Sequence, residues 1–374
     1  MSPLTIVFCG GGSVGHVAPA VAVARAAMKL NPAVQPLFLC ADRADETAFL
    51  THEHLPFRTI PAAKFPRGMS AGWVTFPFVF AYSLIAARGI LKHTKPAAVF
   101  SKGGYVSAPI CIAARMMGIP IVLHESDATG GMSNRLIATI ARTVCLGFPE
   151  EVTSHESRVP NTPSSRNSKL ATRNSILTGN PVRPDIAGGS KDAARRITGF
   201  SGRRPVLLVI GGSQGSLAIN QAIDKHFEAL IDMADVIHLT GANKETGRTH
   251  ARYWARPFVT EELKHLYALT DVAVSRAGAG TLSELAALGK PTVVVPLLGV
   301  AQDHQQCNAK LLESAGGAIL LPQERLDELP SLLKTLLADA PRRTALGERL
   351  RGFFPADAAT AIARSVLDAA GSRA

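Results

Sequence analysis

Short apolar runs alternate with longer stretches of helical spacing along most of this chain. Ile6–Cys9, Gln35–Cys40, Ala97–Phe100 and Ile121–His124 read as buried strands, with helices over Ala18–Leu30 and Ala108–Met117. Strand–helix alternation predicts βαβ units and a parallel sheet covered on both faces. Between Glu151 and Ser175 the pattern breaks into Ser, Asn, Pro and Thr, with Arg158, Arg166, Lys169 and Arg173 outnumbering the acids. That segment predicts a loop. Thr178-Gly179-Asn180-Pro181-Val182-Arg183-Pro184 then predicts a hinge. A second series runs through Pro205–Ile210, Asp235–Leu239, Asp271–Ser275 and Thr292–Pro296, and Pro355–Ala370 reads as a closing helix. The expected fold is α/β: two Rossmann-like, doubly wound domains over 1–181 and 182–350 with a cleft between them, and a helix in 351–374 crossing back to the first. A length of 374 residues suits about two domains.

Composition sharpens this picture. Hydrophobic residues make up 47% and charged ones 18% of the chain, and 40 basic against 29 acidic side chains give a net charge of +11. Such a balance favours phosphorylated substrates, acidic lipid or nucleic acid. The twenty residues 68–87 carry no charge, a length able to span a bilayer, but Pro77 interrupts them. Five scattered cysteines, never spaced CxxC, read as reduced core thiols of an intracellular protein. The opening MSPLTIVFCGGG lacks a basic start and reads as a strand, not a signal peptide.

Four blocks carry candidate chemistry. Gly10-Gly11-Gly12-Ser13-Val14-Gly15-His16 follows a strand and opens a helix, where backbone amides attract negative charge. It formally fits G-x-G-x-x-G with Asp42 as ribose acid, and His16 either caps the turn or faces a ligand. Gly211-Gly212-Ser213-Gln214-Gly215-Ser216 is a second such turn, either a plain tight turn or a phosphate cradle. Ser275–Glu284 places Arg276, Ala279, Gly280 and Thr281 at a helix start. Glu284 one turn on could accept from ribose hydroxyls or close a capping box to Thr281. Asp303-His304-Gln305-Gln306-Cys307-Asn308 offers amides suited to a hydroxyl-rich ligand, or else a solvated helix start. The spacing of His and acids makes no metal cluster, and no G-x-S-x-G elbow occurs. Three classes remain open from the residues: a transferase of nucleotide-activated sugars, a nicotinamide-dependent oxidoreductase built on Gly10–Gly15, and a membrane-surface module resting on 68–87.

In order along the chain, GGGSVGHVAPAVAVA (10–24), SKGGYVSAPICIAA (101–114), GIPIVLHESDATGGMSNR (118–135), TGNPVRPDI (178–186), LLVIGGSQGSLAIN (207–220), SRAGAGTLSELAALGKPTVVVP (275–296) and DHQQCNAKLLESAGGA (303–318) resemble the MurG family of bacterial cell-wall glycosyltransferases. The resemblance implies a GT-B transferase that moves N-acetylglucosamine from UDP-GlcNAc, with inversion, to the muramoyl 4-hydroxyl of undecaprenyl-diphospho-MurNAc-pentapeptide (lipid I to lipid II). That is a hexosyltransferase of peptidoglycan synthesis, and so of cell-wall biogenesis, cell shape and division. It implies no required cofactor or bound metal, no nucleic acid, and a peripheral place on the anionic cytoplasmic face of the plasma membrane.

Carried over by motif, Ser213, Gln214 and Arg183 would meet donor phosphate and Ala279, Gly280 and Thr281 the diphosphate. Glu284 would meet the ribose, Gln305, Gln306 and Asn308 the sugar, and Ser13 and Gly15 would adjoin the donor. Gly12 and Gly15 would hold the acceptor diphosphate, with His16, Tyr105, Asp127 and Asn134 beside the acceptor. His16 is the first candidate base, Asp127 the second and Glu125 a third catalytic group, with Arg276 steadying the leaving group. The chain departs from the family pattern at Ser13, Val14 and Asp127, and its 151–175 segment is longer than usual.

Overall fold

The computed structural model describes residues 3–12, 14–66, 72–149, 174–212, 214–297 and 303–372, with the backbone alone at Val14 and His16. Ser13, Ser213 and most of the basic 151–175 segment lie outside the described residues. The chain divides into two compact units, Met1–Pro181 with Asp357–Ala374, and Val182–Ala356.

In the first unit the strands are β1 Leu4–Cys9, β2 Val34–Cys40, β3 Phe57–Thr59, β4 Ala98–Ser101, β5 Ile121–Glu125, β6 Thr143–Leu146 and β7 Ser175–Leu177. They form a parallel sheet in the order β3-β2-β1-β4-β5-β6-β7. The helices are α1 Val14–Leu30, α2 Ala44–His52, α3 Gly72–Thr94, α4 Ser107–Met116 and α5 Met132–Ala138. The inner strands are apolar throughout because both faces are covered. One face buries Ile6, Phe8 and Phe100 against Val17, Val21 and Ala24 of α1. The other buries Val7, Val99 and Leu123 against Ile110 and Cys111 of α4.

From Gly72 on, the uncharged run lies in α3, continuous through the exposed Pro77. It is long and apolar enough to cross a membrane. Its Ser83, Ala87 and Leu91 are nevertheless buried in the unit, and Ser83 Oγ donates to the carbonyls of Val79 and Pro61. Trp73, Val74, Phe78, Tyr82 and Ile85 stay exposed, whereas Phe76 turns in against Phe65 and Phe80.

The second unit repeats the architecture with β8 Val206–Ile210, β9 Asp235–Leu239, β10 Tyr253–Arg256, β11 Val272–Ser275, β12 Thr292–Val294 and β13 Ile319–Leu320. Its parallel order is β10-β9-β8-β11-β12-β13. The helices are α6 Lys191–Thr198, α7 Leu217–Lys225, α8 Phe227–Met233, α9 Leu263–Leu269, α10 Ala279–Ala287, α11 His304–Ser314, α12 Leu329–Ala338 and α13 Ala340–Phe353. The last helix, α14 Ala358–Gly371, belongs to the first unit, where Ile362, Ala363 and Val366 join the core formed by β1 and α1. In each sheet the neighbours of the first strand leave on opposite sides, which opens a crevice at the carboxyl ends of the strands.

Candidate functional site

Glu125 is the last residue of β5 and only 4% exposed. Its Oε1 accepts from the Asp127 amide at 3.0 Å, and its Oε2 from the Gly131 amide at 3.2 Å and Asn134 Nδ2 at 2.7 Å. A loop of six residues is thus wrapped on one carboxylate. Burial pushes the Glu125 carboxyl up and the Asp127 charge adds to this, while the Asp127 amide, the Lys102 ammonium and the Asn134 amide pull it back. Glu125, expected to be catalytic, accepts three hydrogen bonds from the loop that follows it. Asn134, expected beside the acceptor, is buried and spends its amide on Glu125. Asp127 rides on the loop that they hold.

At the first glycine-rich turn, Gly12 has φ +109°, open to glycine alone, and a Cβ there would lie 3.1 Å from Tyr105 Cε1. Tyr105 therefore lies against the turn. The Gly12 amide, expected on the acceptor diphosphate, donates instead to Glu46 Oε1 at 2.6 Å, and the Ala41 amide donates to Glu46 Oε2 at 3.3 Å. A fully buried carboxylate thus occupies the inner side of the turn, where a dinucleotide phosphate would need an amide. Asp42 lies exposed beyond β2. Gly15 is exposed in the first turn of α1, beside the backbone of His16.

In the second unit, Arg183 from the loop ahead of α6 meets Tyr267 of α9 and Glu284 of α10. Glu284 Oε1 accepts from Arg183 Nε at 3.3 Å and Oε2 from the Tyr267 hydroxyl at 2.9 Å. Arg183 Nη1 donates to the Thr260 carbonyl at 3.0 Å, and its Nη2 is buried without a partner among the described residues. The capping-box alternative for Glu284 gives way to these partners, since α10 starts at Ala279 behind Gly278, which offers no side-chain cap. Helix geometry leaves the amides of Ala279, Gly280 and Thr281 without intrahelical acceptors, and Gly280 is exposed. Burial raises the Glu284 carboxyl, and the Arg183 charge and the two hydrogen bonds oppose it. The Tyr267 hydroxyl is pushed well up by burial and then by the Glu284 charge.

Arg276, Gln305 and Asn308, near this corner, each bond to the protein's own groups. Arg276, expected at the leaving group, is 6% exposed and donates to the carbonyls of Val295 at 3.2 Å and Pro296 at 3.1 Å and to Gln323 Oε1 at 2.7 Å. Its guanidinium ties β11 to the end of β12 and faces inward. Asn308, expected at the sugar, is fully buried with Nδ2 on the Ala277 carbonyl at 3.0 Å. Gln305 Oε1 accepts from the Leu297 amide at 3.0 Å, and Gln306 is half-buried at the start of α11. These bonds hold the main chain at the strand ends, on the rim of the crevice.

The second glycine-rich turn is held from below. A Cβ on Gly215, at φ +67°, would lie 2.1 Å from the Thr240 carbonyl oxygen, so backbone packs on backbone. Lys244 Nζ donates to the exposed Gln214 carbonyl at 2.6 Å. Asn220 Nδ2 donates to the Thr240 and Lys244 carbonyls, both at 2.9 Å, so its Oδ1 accepts from His238 Nε2 at 3.1 Å. His238 Nδ1 then accepts from the Tyr253 hydroxyl at 2.8 Å, which leaves the ring neutral. Burial holds its pKa down to about 4. Glu46, Lys102, Tyr267, Lys244 and His238 escaped the sequence reading. Only Lys102 carried a signal, as a charge inside the apolar-flanked SKGGYVSAP block.

Comparison with known proteins shows the family. Residues 6–146 match the glycosyltransferase family 28 N-terminal domain and residues 206–362 the family 28 C-terminal domain. The chain is 34% identical over 331 residues, 88% of each chain, to the UDP-N-acetylglucosamine--N-acetylmuramyl-(pentapeptide) pyrophosphoryl-undecaprenol N-acetylglucosamine transferase of Clostridium kluyveri. It is 35% identical over 370 residues to the Salinibacter ruber protein of the same name, with 97% of this chain and 96% of that one covered. The crystal structure of Acinetobacter baumannii MurG superimposes with a TM-score of 0.72 at 25% identity, covering 98% of this chain and all of that one.

Proposed function

Because the chain belongs to glycosyltransferase family 28, whose two domains match its two halves, we propose that it transfers N-acetylglucosamine from UDP-GlcNAc to the muramoyl 4-hydroxyl of a polyprenyl-diphosphate-linked MurNAc-pentapeptide, with inversion. The observation that carries this reading is the donor corner: the open amino-terminal turn of α10 beside Glu284 in its pair with Arg183. A helix start of this kind meets the charge that grows on a departing diphosphate. The Arg183 nitrogen left unpartnered adds a cation. Glu284 supplies acceptor oxygens for vicinal ribose hydroxyls. Arg276, Asn308 and Gln305 support the rim, while Gln306 and the Gln214 turn are left for sugar and phosphate.

The first unit takes the acceptor. Its hydroxyl attacks the anomeric carbon as the UDP oxygen leaves, and a base removes the hydroxyl proton. His16 at the start of α1 is the base in this reading, with Asp127 on the loop held by Glu125 orienting the hydroxyl. The exposed apolar row Trp73, Phe78, Tyr82 and Ile85 on α3, flanked by exposed Lys64, Arg88 and Lys92, supports peripheral docking on the anionic cytoplasmic face of the plasma membrane. There the acceptor keeps its polyprenyl chain in the lipid.

The test is transfer of radiolabelled sugar from UDP-GlcNAc to the lipid-linked acceptor by the purified chain and by His16→Ala. General-base loss lowers kcat roughly 10²- to 10⁴-fold with donor affinity retained. Near-normal turnover by the variant would leave His16 a capping residue, and no transfer by the parent protein would overturn the function.

A further inference from the structure

A lysine is the least expected residue at the end of β4. Lys102 follows Ser101, its amide donates to the Cys9 carbonyl at 2.8 Å, and the residue is only 3% exposed. Taking an ammonium out of water is costly unless it is paired and hydrogen-bonded. Its Nζ donates to Ser126 Oγ. Burial pushes its pKa down, and the charges of Glu125 and Asp127 oppose this. Ser126 is clamped a second time, since Asn180 Nδ2 donates to its carbonyl at 3.0 Å. The neighbouring His124 is fully buried and kept neutral, its Nε2 on the Gly179 carbonyl at 3.0 Å. Lys102 is therefore the cation that faces two acids where the loop leaves the sheet.

We propose that Lys102 is a positioning residue for the acceptor: through Ser126 and the buried Glu125 it fixes the 126–131 loop and with it the place of Asp127. The ammonium offsets the negative charge that Glu125 and Asp127 bring together. It keeps Glu125 ionised, as the three donors from the Asp127 amide, the Gly131 amide and Asn134 require. An apolar side chain would fill the space but leave Glu125 to take up a proton and release a donor. The inference rests on the acceptor-side reading of Asp127, and the measurements separate the two.

Initial rates of the full chain are taken with donor and acceptor varied in turn, for Lys102→Met, Asp127→Asn, the double variant and Ser126→Ala, with melting curves for each. Lys102→Met raises the acceptor KM or lowers kcat by about tenfold and leaves the donor KM within roughly twofold. The double variant is no worse than the poorer single one, as for residues acting through one another. Ser126→Ala, which keeps the ammonium, shifts acceptor kinetics the same way by a few-fold. It decides the matter if Lys102→Met does not fold. Multiplying effects, or a donor KM that moves as much as the acceptor KM, would overturn the role of Lys102 alone. A kinetically silent Asp127→Asn would overturn the acceptor-side reading and the proposal with it.

Discussion

Glu284→Ala separates support from binding at the donor corner. The Tyr267 ring is fully buried, and its hydroxyl bonds to Glu284 Oε2 at 2.9 Å. Removing the carboxylate strands a buried hydroxyl, which costs about 1–3 kcal/mol. Arg183 suffers less, since its side chain is 29% exposed and keeps the Thr260 carbonyl. Relief of the buried charge of Glu284 offsets part of the loss, so a net of about 2 kcal/mol is expected. For a domain the size of the second unit this lowers Tm by about 4–8 °C. Glu284→Gln keeps an oxygen for Tyr267 and costs under about 1 kcal/mol, though its amide faces the Arg183 guanidinium. Loss of the ribose contact in Glu284→Ala weakens UDP-GlcNAc binding by about 1–3 kcal/mol, roughly 5- to 150-fold in Kd. Calorimetry reads the affinity, and thermal melts read the stability. A cycle with Tyr267→Phe isolates the buried bond, since the two changes act on one interaction and are non-additive. An unchanged Kd with a lowered Tm would refute the ribose role. A lost affinity with an unchanged Tm would refute the Tyr267 bond.

Acid acts on the second unit through His238. Its native pKa of about 4 lies below the ordinary value near 6.5, so the unfolded chain binds the proton first. The stability this gives is whole above about pH 6.5 and is lost as pH falls toward 4, up to about 3 kcal/mol. Melting against pH shows the slope, and His238→Asn flattens it; a slope unaltered by the change would place the titration elsewhere. At the membrane, Trp73→Ser with Phe78→Ser reduces pelleting with anionic liposomes and leaves UDP binding intact, and salt weakens binding of the parent protein. Retention in the pellet through alkaline washing would count against peripheral docking.

The inner strands were legible because a doubly covered parallel strand is an unbroken apolar run: Ile6–Cys9 lies within β1, and Gln35–Cys40 within β2. Edge strands β3, β7 and β13, two or three residues long, carry no periodicity to read. The run 68–87 was legible as apolar but not as one helix, since Pro77 reads as a break and is tolerated on a solvent-facing turn. At the site, motif spacing located the glycine turns and the α10 start. It could not tell a polar side chain that faces a ligand from one that faces a carbonyl. Arg276 and Asn308 sit among ligand-like residues, and both donate to main-chain carbonyls. The partners that decide the matter, Tyr267 for Glu284 and Lys102 for Ser126, lie 17 and 24 positions away. Their contacts arise only once the strands are side by side.

The return of α14 to the first unit orders events during synthesis. Val17, Val21 and Ala24 on α1 share a core with Ile362, Ala363 and Val366. When Pro181 has been added to the chain that core lacks one wall, and the whole of Val182–Ala356 must still be made. At about 5–20 residues per second the gap lasts roughly nine to thirty-five seconds. For that interval the nascent first half exposes an apolar face, and the second half, contiguous in sequence, is free to finish first. The half that begins the chain is thus the last to be complete, and a chain cut short before Ile362 carries every residue of the second unit but a first unit without one wall of its core.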